Sequence, residues 1–69
     1  MNEQYKNCQI CVLSNEESGR WQAMAKVTAS QLREMRGFGL LITGSFETQA
    51  EAEAEALMRI KQRIDRVTS

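Results

Sequence analysis

The first half of the chain alternates apolar and polar residues with a period of two, the pattern of strands that bury one face. In residues 5–13, one face of the predicted strand carries Cys8, Ile10 and Val12. Residues 20–29 repeat the pattern, with one face made of Trp21, Ala23, Ala25 and Val27. The polar segment between them ends in Ser18-Gly19, a pair typical of hairpin connections. This half of the chain therefore predicts two strands joined by a hairpin.

A third strand is predicted over residues 40–46, and its inward-facing residues are Leu40, Ile42 and Phe46. Gly44 within it indicates a bulge or a close approach of another backbone segment. The preceding segment, 30–39, has no clear period. It fits an extended strand end, a helical turn, or a long loop closed by Gly37 and Gly39.

The last third of the chain predicts one long helix that starts at Thr48. Thr48 and Glu51 have the spacing of a capping box, in which the hydroxyl accepts the amide three residues on and the glutamate reaches back. One apolar stripe recurs at helical spacing: Ala50, Ala54, Leu57, Ile60, Ile64 and Val67. We therefore expect a single α+β domain over residues 1–69, a three-stranded antiparallel sheet with one long C-terminal helix packed on one face (β-β-β-α).

The sheet face turned away from this helix would carry apolar residues that nothing else in the chain covers: Tyr5, Cys11, Leu13, Met24 and Leu41. Such a face is a dimer interface or a binding surface, and a free sheet edge can serve in the same way. A core built from 69 residues supplies only ~3–5 kcal/mol unless something reinforces it. We expect oligomerisation to be that reinforcement, and predict a homodimer.

The composition argues against a metal, a cofactor or a catalytic centre. The chain has no His and two Cys, so it lacks the four N or S ligands of a zinc site and cannot use a histidine-activated nucleophile. Cys8 and Cys11 form a C-x-x-C, but inside a strand their thiols point to opposite faces, so we interpret them as inert. Gly37 and Gly39 lead into a strand, whereas a phosphate-binding loop leads into a helix. We predict no enzymatic activity.

Charge is balanced overall and uneven locally. Nine Lys and Arg offset nine Asp and Glu, yet basic residues cluster in 20–36 and 59–66, which leaves room for a local polyanion site. No apolar run approaches the ~18 residues of a membrane span, and the N-terminus has no signal-peptide pattern. We therefore expect a cytoplasmic protein with no membrane contact.

Two basic features favour nucleic-acid binding as an alternative function. The segment Arg36-Gly37-Phe38-Gly39 resembles the start of the RNP1 signature of RNA-recognition motifs, and this resemblance implies a base-stacking role for Phe38. The same residues also fit a turn leading into a strand. Three arginines on the outer face of the predicted helix would touch phosphates or balance the helix dipole. The candidate nucleic-acid-binding residues are Arg33, Arg36, Phe38, Arg59, Arg63 and Arg66.

The junction between the last strand and the helix supports a second resemblance. Gly44, Thr48, Glu51, Ala52 and Ala56 match the layout of small bacterial β-β-β-α proteins, including the N-terminal domain of HicB-type antitoxins. This resemblance implies the fold and a bacterial source, and it transfers no function. Our leading prediction is a small non-enzymatic protein-interaction module that acts as a homodimer, with any further protein partner unidentified. The alternative is a small RNA- or DNA-binding protein.

Overall fold

The computed structural model describes residues 1–68, except for the side chains at positions 43 and 44. The elements follow one another as β1 (Asn2–Tyr5), β2 (Cys8–Glu17), β3 (Arg20–Ser30), a 3-10 turn (Arg33–Met35), β4 (Gly39–Phe46) and α1 (Gln49–Thr68). The strands form one antiparallel sheet in the order β1-β2-β3-β4. Helix α1 packs across β2, β3 and β4 on one face of this sheet. The α+β class and the single C-terminal helix are confirmed, but the predicted count of three strands is wrong.

The additional strand arises from a tight turn within the segment predicted as one strand over 5–13. Lys6 and Asn7 both have positive φ, 47° and 67°, the geometry of a two-residue hairpin turn that matches the twist of the flanking strands. Tyr5 consequently pairs with Cys8. Because directly paired residues share a face, Tyr5 lies on the helix side of the sheet. Its predicted place on the uncovered face is therefore wrong.

The connection between β3 and β4, left open by the sequence, is ordered by a residue that enters the core. Met35 in the 3-10 turn is fully buried. The Leu32 amide donates to Ser30 Oγ over 2.9 Å, and the Phe38 amide donates to the Met35 carbonyl over 3.1 Å. Gly37 reverses the chain with a φ of 74°, which glycine adopts without strain. This segment therefore holds Phe38 in a defined position just before β4.

The hydrophobic core lies between the sheet and the helix. The sheet contributes Cys8, Ile10, Val12, Ala23, Ala25, Val27 and Ile42, as the alternation predicts, and Met35 completes the layer. Helix α1 begins where expected, since the Glu51 amide donates to Thr48 Oγ over 3.1 Å. Its buried residues are Ala52, Ala56, Ile60 and Ile64. Ala50 and Ala54 are exposed, so the predicted stripe is wrong over the first two turns.

The register between β3 and β4 shifts once, because Trp21 pairs with Phe46 whereas Ala23 pairs with Ile42. The sequence predicts a bulge or a close approach of another backbone segment at Gly44. The side-chain surroundings of this position lie outside the described residues. Within residues 1–68, no helix combines the length and the apolar character that a membrane crossing requires.

Candidate functional site

The sheet face opposite α1, which we call the open face, carries a row of apolar side chains across three strands. Leu13 pairs with Met24, and Met24 pairs with Leu41. We call these three residues the apolar row. Leu13 is 54%, Met24 36% and Leu41 64% exposed. They line a shallow depression of about 210 Å³. The sequence predicted all three on this face, and the structure places them side by side.

Polar residues flank the apolar row along the strands. On one side Asn15 pairs with Gln22, and on the other Cys11 pairs with Lys26. Cys11 is half-buried, whereas Lys26 is exposed. An apolar centre with a polar rim is the usual anatomy of a protein–protein interface.

A second candidate site lies on the other side of the sheet, between β4 and the C-terminal half of α1. This shallow groove has a volume of about 200 Å³, and we call it the arginine groove; it is lined by Phe38, Leu40, Arg59, Gln62, Arg63 and Arg66. The Cζ atom of Arg63 lies 5.3 Å from the centroid of the Phe38 ring, within the range of a cation–π contact. Arg59 Nε bonds Glu55 Oε2 over 2.6 Å. The fold thus brings four of the six predicted nucleic-acid-binding residues together.

The other two predicted residues, Arg33 and Arg36, do not line this groove. Arg33 belongs to the 3-10 turn and is exposed. Arg36 Nε donates to the carbonyl of Ser30 over 2.9 Å, so this guanidinium helps to close the connection between β3 and β4. The RNP1-like segment also differs from a strand motif, because Phe38 precedes β4 and its ring faces the helix. Arg36 therefore stabilises the connection between β3 and β4 and lies apart from the arginines that line the groove.

A third cluster, which the sequence did not indicate, joins β1 to the end of α1. Tyr5 Oη and Lys6 Nζ both donate to Asp65 Oδ1, over 2.8 and 2.7 Å. The ammonium groups of Lys6 and Lys61 lie 5.5 and 5.1 Å from the Tyr5 ring centroid, and Lys61 pairs with Glu3. Only the position of β1 brings these residues together, so strand patterns alone gave no signal for the cluster.

The ionisation of this cluster follows from its hydrogen bonds. The hydrogen bond from Lys6, and to a smaller extent the one from Tyr5, holds the pKa of Asp65 below its ordinary value. The bond to Asp65 raises the pKa of Tyr5, with a smaller contribution from burial, and it also raises the pKa of Lys6. The bonds therefore favour charged Asp65, charged Lys6 and neutral Tyr5, and the cluster fastens β1 to the helix.

The cysteines are separated as the strand pattern predicts. Cys8 is buried, with its Sγ 3.1 Å from Ser30 Oγ, whereas Cys11 lies on the open face, and both thiols are free. Among the described residues, no group of three or more His, Cys, Asp or Glu side chains is placed to hold a metal ion.

Comparisons with protein-family models, with curated proteins and with solved structures each find no match to this chain. The resemblances to RNA-recognition motifs and to HicB-type antitoxin domains therefore stay predictions from the sequence.

Proposed function

We propose that this chain is a small non-catalytic protein-interaction module that acts as a homodimer joined through the open face. The observation that carries this proposal is the apolar row, in which Leu13, Met24 and Leu41 stand in register and are 36–64% exposed. Three adjacent large apolar side chains on a sheet differ from scattered surface leucines, because together they form a continuous patch that excludes water when covered.

The architecture of the domain supports a second layer on this face. A sheet is stable when its apolar face packs against another layer, and α1 covers only one side. In a chain of 69 residues the core contributes limited stability. A second copy of the chain supplies a matching apolar surface, because a two-fold dimer uses the same patch on both subunits.

The size of the open face suits a specific but concentration-dependent dimer. With strands of 4, 10, 11 and 8 residues, a rise of ~3.3 Å per residue and a strand spacing of ~4.8 Å give the face an area of about 500 Å². Two copies would bury about 1,000 Å² in total, the lower end of what specific interfaces need. We therefore expect dissociation within the range that dilution can reach.

The charge on the open face is also compatible with self-association. Lys26 lies two residues from Met24 along β3, and Gln22 lies two residues away in the other direction. A two-fold axis that crosses the strands at Met24 reverses their direction in the second copy. Lys26 of one copy then faces Gln22 of the other, so the interface forms without opposing two ammonium groups.

Sedimentation equilibrium on the wild-type chain and two matched variants tests this proposal. Leu13→Lys adds a charge to the apolar row, whereas Met58→Lys adds the same charge at an exposed position of α1. We expect the wild type and Met58→Lys to approach twice the 7.9 kDa chain mass as concentration rises, and Leu13→Lys to stay monomeric. A wild-type monomer at high micromolar concentration, or equal association of both variants, would contradict the proposal.

A further inference from the structure

The arginine groove lies on the helix side of the sheet, so a dimer joined through the open face leaves it accessible. Its floor is formed by Phe38 and Leu40, which pack against the core. Its rim is formed by α1, where Arg59, Arg63 and Arg66 are exposed. Ligand binding in this groove therefore does not depend on the proposed dimer.

The groove concentrates positive charge in a chain whose net charge is zero. Positions 59, 63 and 66 fall on one helix face and span about 10 Å along the axis. The three guanidinium groups can therefore follow an extended polyanion. Glu55 partly offsets Arg59, since the two are bonded over 2.6 Å. Gln62 adds a neutral amide to the same lining.

Phe38 distinguishes this groove from a plain basic helix face. Its ring is half-buried, and the guanidinium of Arg63 lies over it at 5.3 Å. Aromatic rings and guanidinium planes are the surfaces on which unpaired bases stack. Arginines that flank a stacking aromatic are the combination that binds single-stranded nucleic acids, with phosphates held by charge and a base held by stacking.

We propose that the arginine groove binds single-stranded nucleic acid, with one base stacked on the Phe38–Arg63 pair and adjacent phosphates held by Arg59 and Arg66. A single strand suits the site better than a duplex, because bases inside a duplex are already stacked and cannot reach Phe38. Binding that uses two phosphate contacts should weaken with salt along a log–log slope of about −1.4.

Fluorescence anisotropy with a short labelled oligouridine, the matching oligodeoxythymidine and a labelled duplex tests this proposal in a salt series. Phe38→Leu keeps an apolar side chain in the groove but removes the ring, and Arg63→Gln removes the stacked cation. Arg20→Gln is the matched control for charge, because Arg20 is exposed and bonded to Ser45 at the other end of β3. Circular dichroism checks that each variant is folded.

The wild type should bind both single strands more tightly than the duplex. Phe38→Leu should weaken single-strand binding by about 5–100-fold, the range for loss of one stacked base. Arg63→Gln should also weaken it, because the cation that stacks with the base is lost, whereas Arg20→Gln should bind like the wild type. The proposal would be overturned if Phe38→Leu bound the single strands like the wild type, or if Arg20→Gln lost as much affinity as Arg63→Gln. It would also be overturned if the duplex bound more tightly than the single strands, if polyglutamate of equal charge displaced the oligonucleotide, or if the wild type did not bind at all. Dimer dissociation and oligonucleotide binding are measured separately, so either proposal can fail alone.

Discussion

Replacing Leu41 by alanine should weaken dimerisation by about 2–4 kcal/mol. Complete burial of a leucine side chain contributes about 1.5–3 kcal/mol. Leu41 is 64% exposed in the single chain, so covering the remaining surface contributes about 1–2 kcal/mol per copy. Two-fold symmetry places two copies of Leu41 in one interface, which doubles the effect. The dissociation constant should rise by about 30–1,000-fold.

Sedimentation equilibrium over a dilution series measures this dissociation constant directly. Met58→Ala is the matched control, because Met58 is 47% exposed on α1 and lies away from the open face. Urea denaturation at low concentration would show whether Leu41→Ala also changes the stability of the monomer, which we expect to fall only slightly. A change in dissociation constant of less than about 3-fold, or an equal change for Met58→Ala, would refute the reasoning.

Three further perturbations test the fold itself. Ile60→Ala, at a fully buried position of α1, should lower the free energy of unfolding by about 2–5 kcal/mol because it leaves a cavity. A loss of less than about 1 kcal/mol in urea denaturation would contradict the packing of the helix against the sheet. The pKa of Asp65 is held below its ordinary value of 3.8 by bonds from Lys6 and Tyr5, so its stabilisation is present above that value and is lost as pH falls through the lowered pKa. Wild type should therefore melt above Asp65→Asn at neutral pH and converge with it in acid; a gap that persists in acid would argue against the cluster. Gly19→Ala should lower the free energy of unfolding by about 1–2 kcal/mol through backbone strain, because Gly19 has a φ of 78°. An added methyl group meets no atom within 4 Å, so steric overlap does not contribute. Equal denaturation midpoints for the wild type and Gly19→Ala would contradict this turn geometry.

The alternating residues predicted the central part of the fold well, because burial of one sheet face leaves a direct period in the sequence. Cys8, Ile10 and Val12 are buried as the pattern predicts, and the hairpin at Ser18-Gly19 forms with positive φ at both residues. These features depend on local turn chemistry and on burial of one face. Both can be read from neighbouring residues.

The errors have equally local causes. The turn that creates β1 contains Lys6-Asn7 and no glycine, so nothing interrupts the apparent strand pattern through 5–13. In the segment 50–56 alanine occupies every second position, so the stripe fits Ala50 and Ala54 as well as Ala52 and Ala56. Alanine is too small for hydrophobicity alone to decide between the two. Packing against the sheet selects the second set.

The two candidate sites differ in how far the sequence could predict them. The apolar row follows from strand alternation, because Leu13, Met24 and Leu41 are out of phase with the core residues of their strands. The arginine groove requires Phe38 to lie beside residues 59–66, a contact between positions far apart in the chain. Met35 is buried in the core, and the Phe38 amide donates to its carbonyl, so this connection fixes Phe38 just before β4.

The most direct test of the proposed dimer follows the methionine methyl groups by NMR in a chain labelled with [methyl-13C]methionine. Met24 belongs to the apolar row, Met58 lies exposed on α1, and Met35 is buried in the core. On dilution from millimolar to low micromolar concentration, the Met24 signal should move between dimer and monomer positions while those of Met58 and Met35 stay in place. A Met24 signal that does not change, or a shift of Met58 in its place, would contradict self-association through the open face.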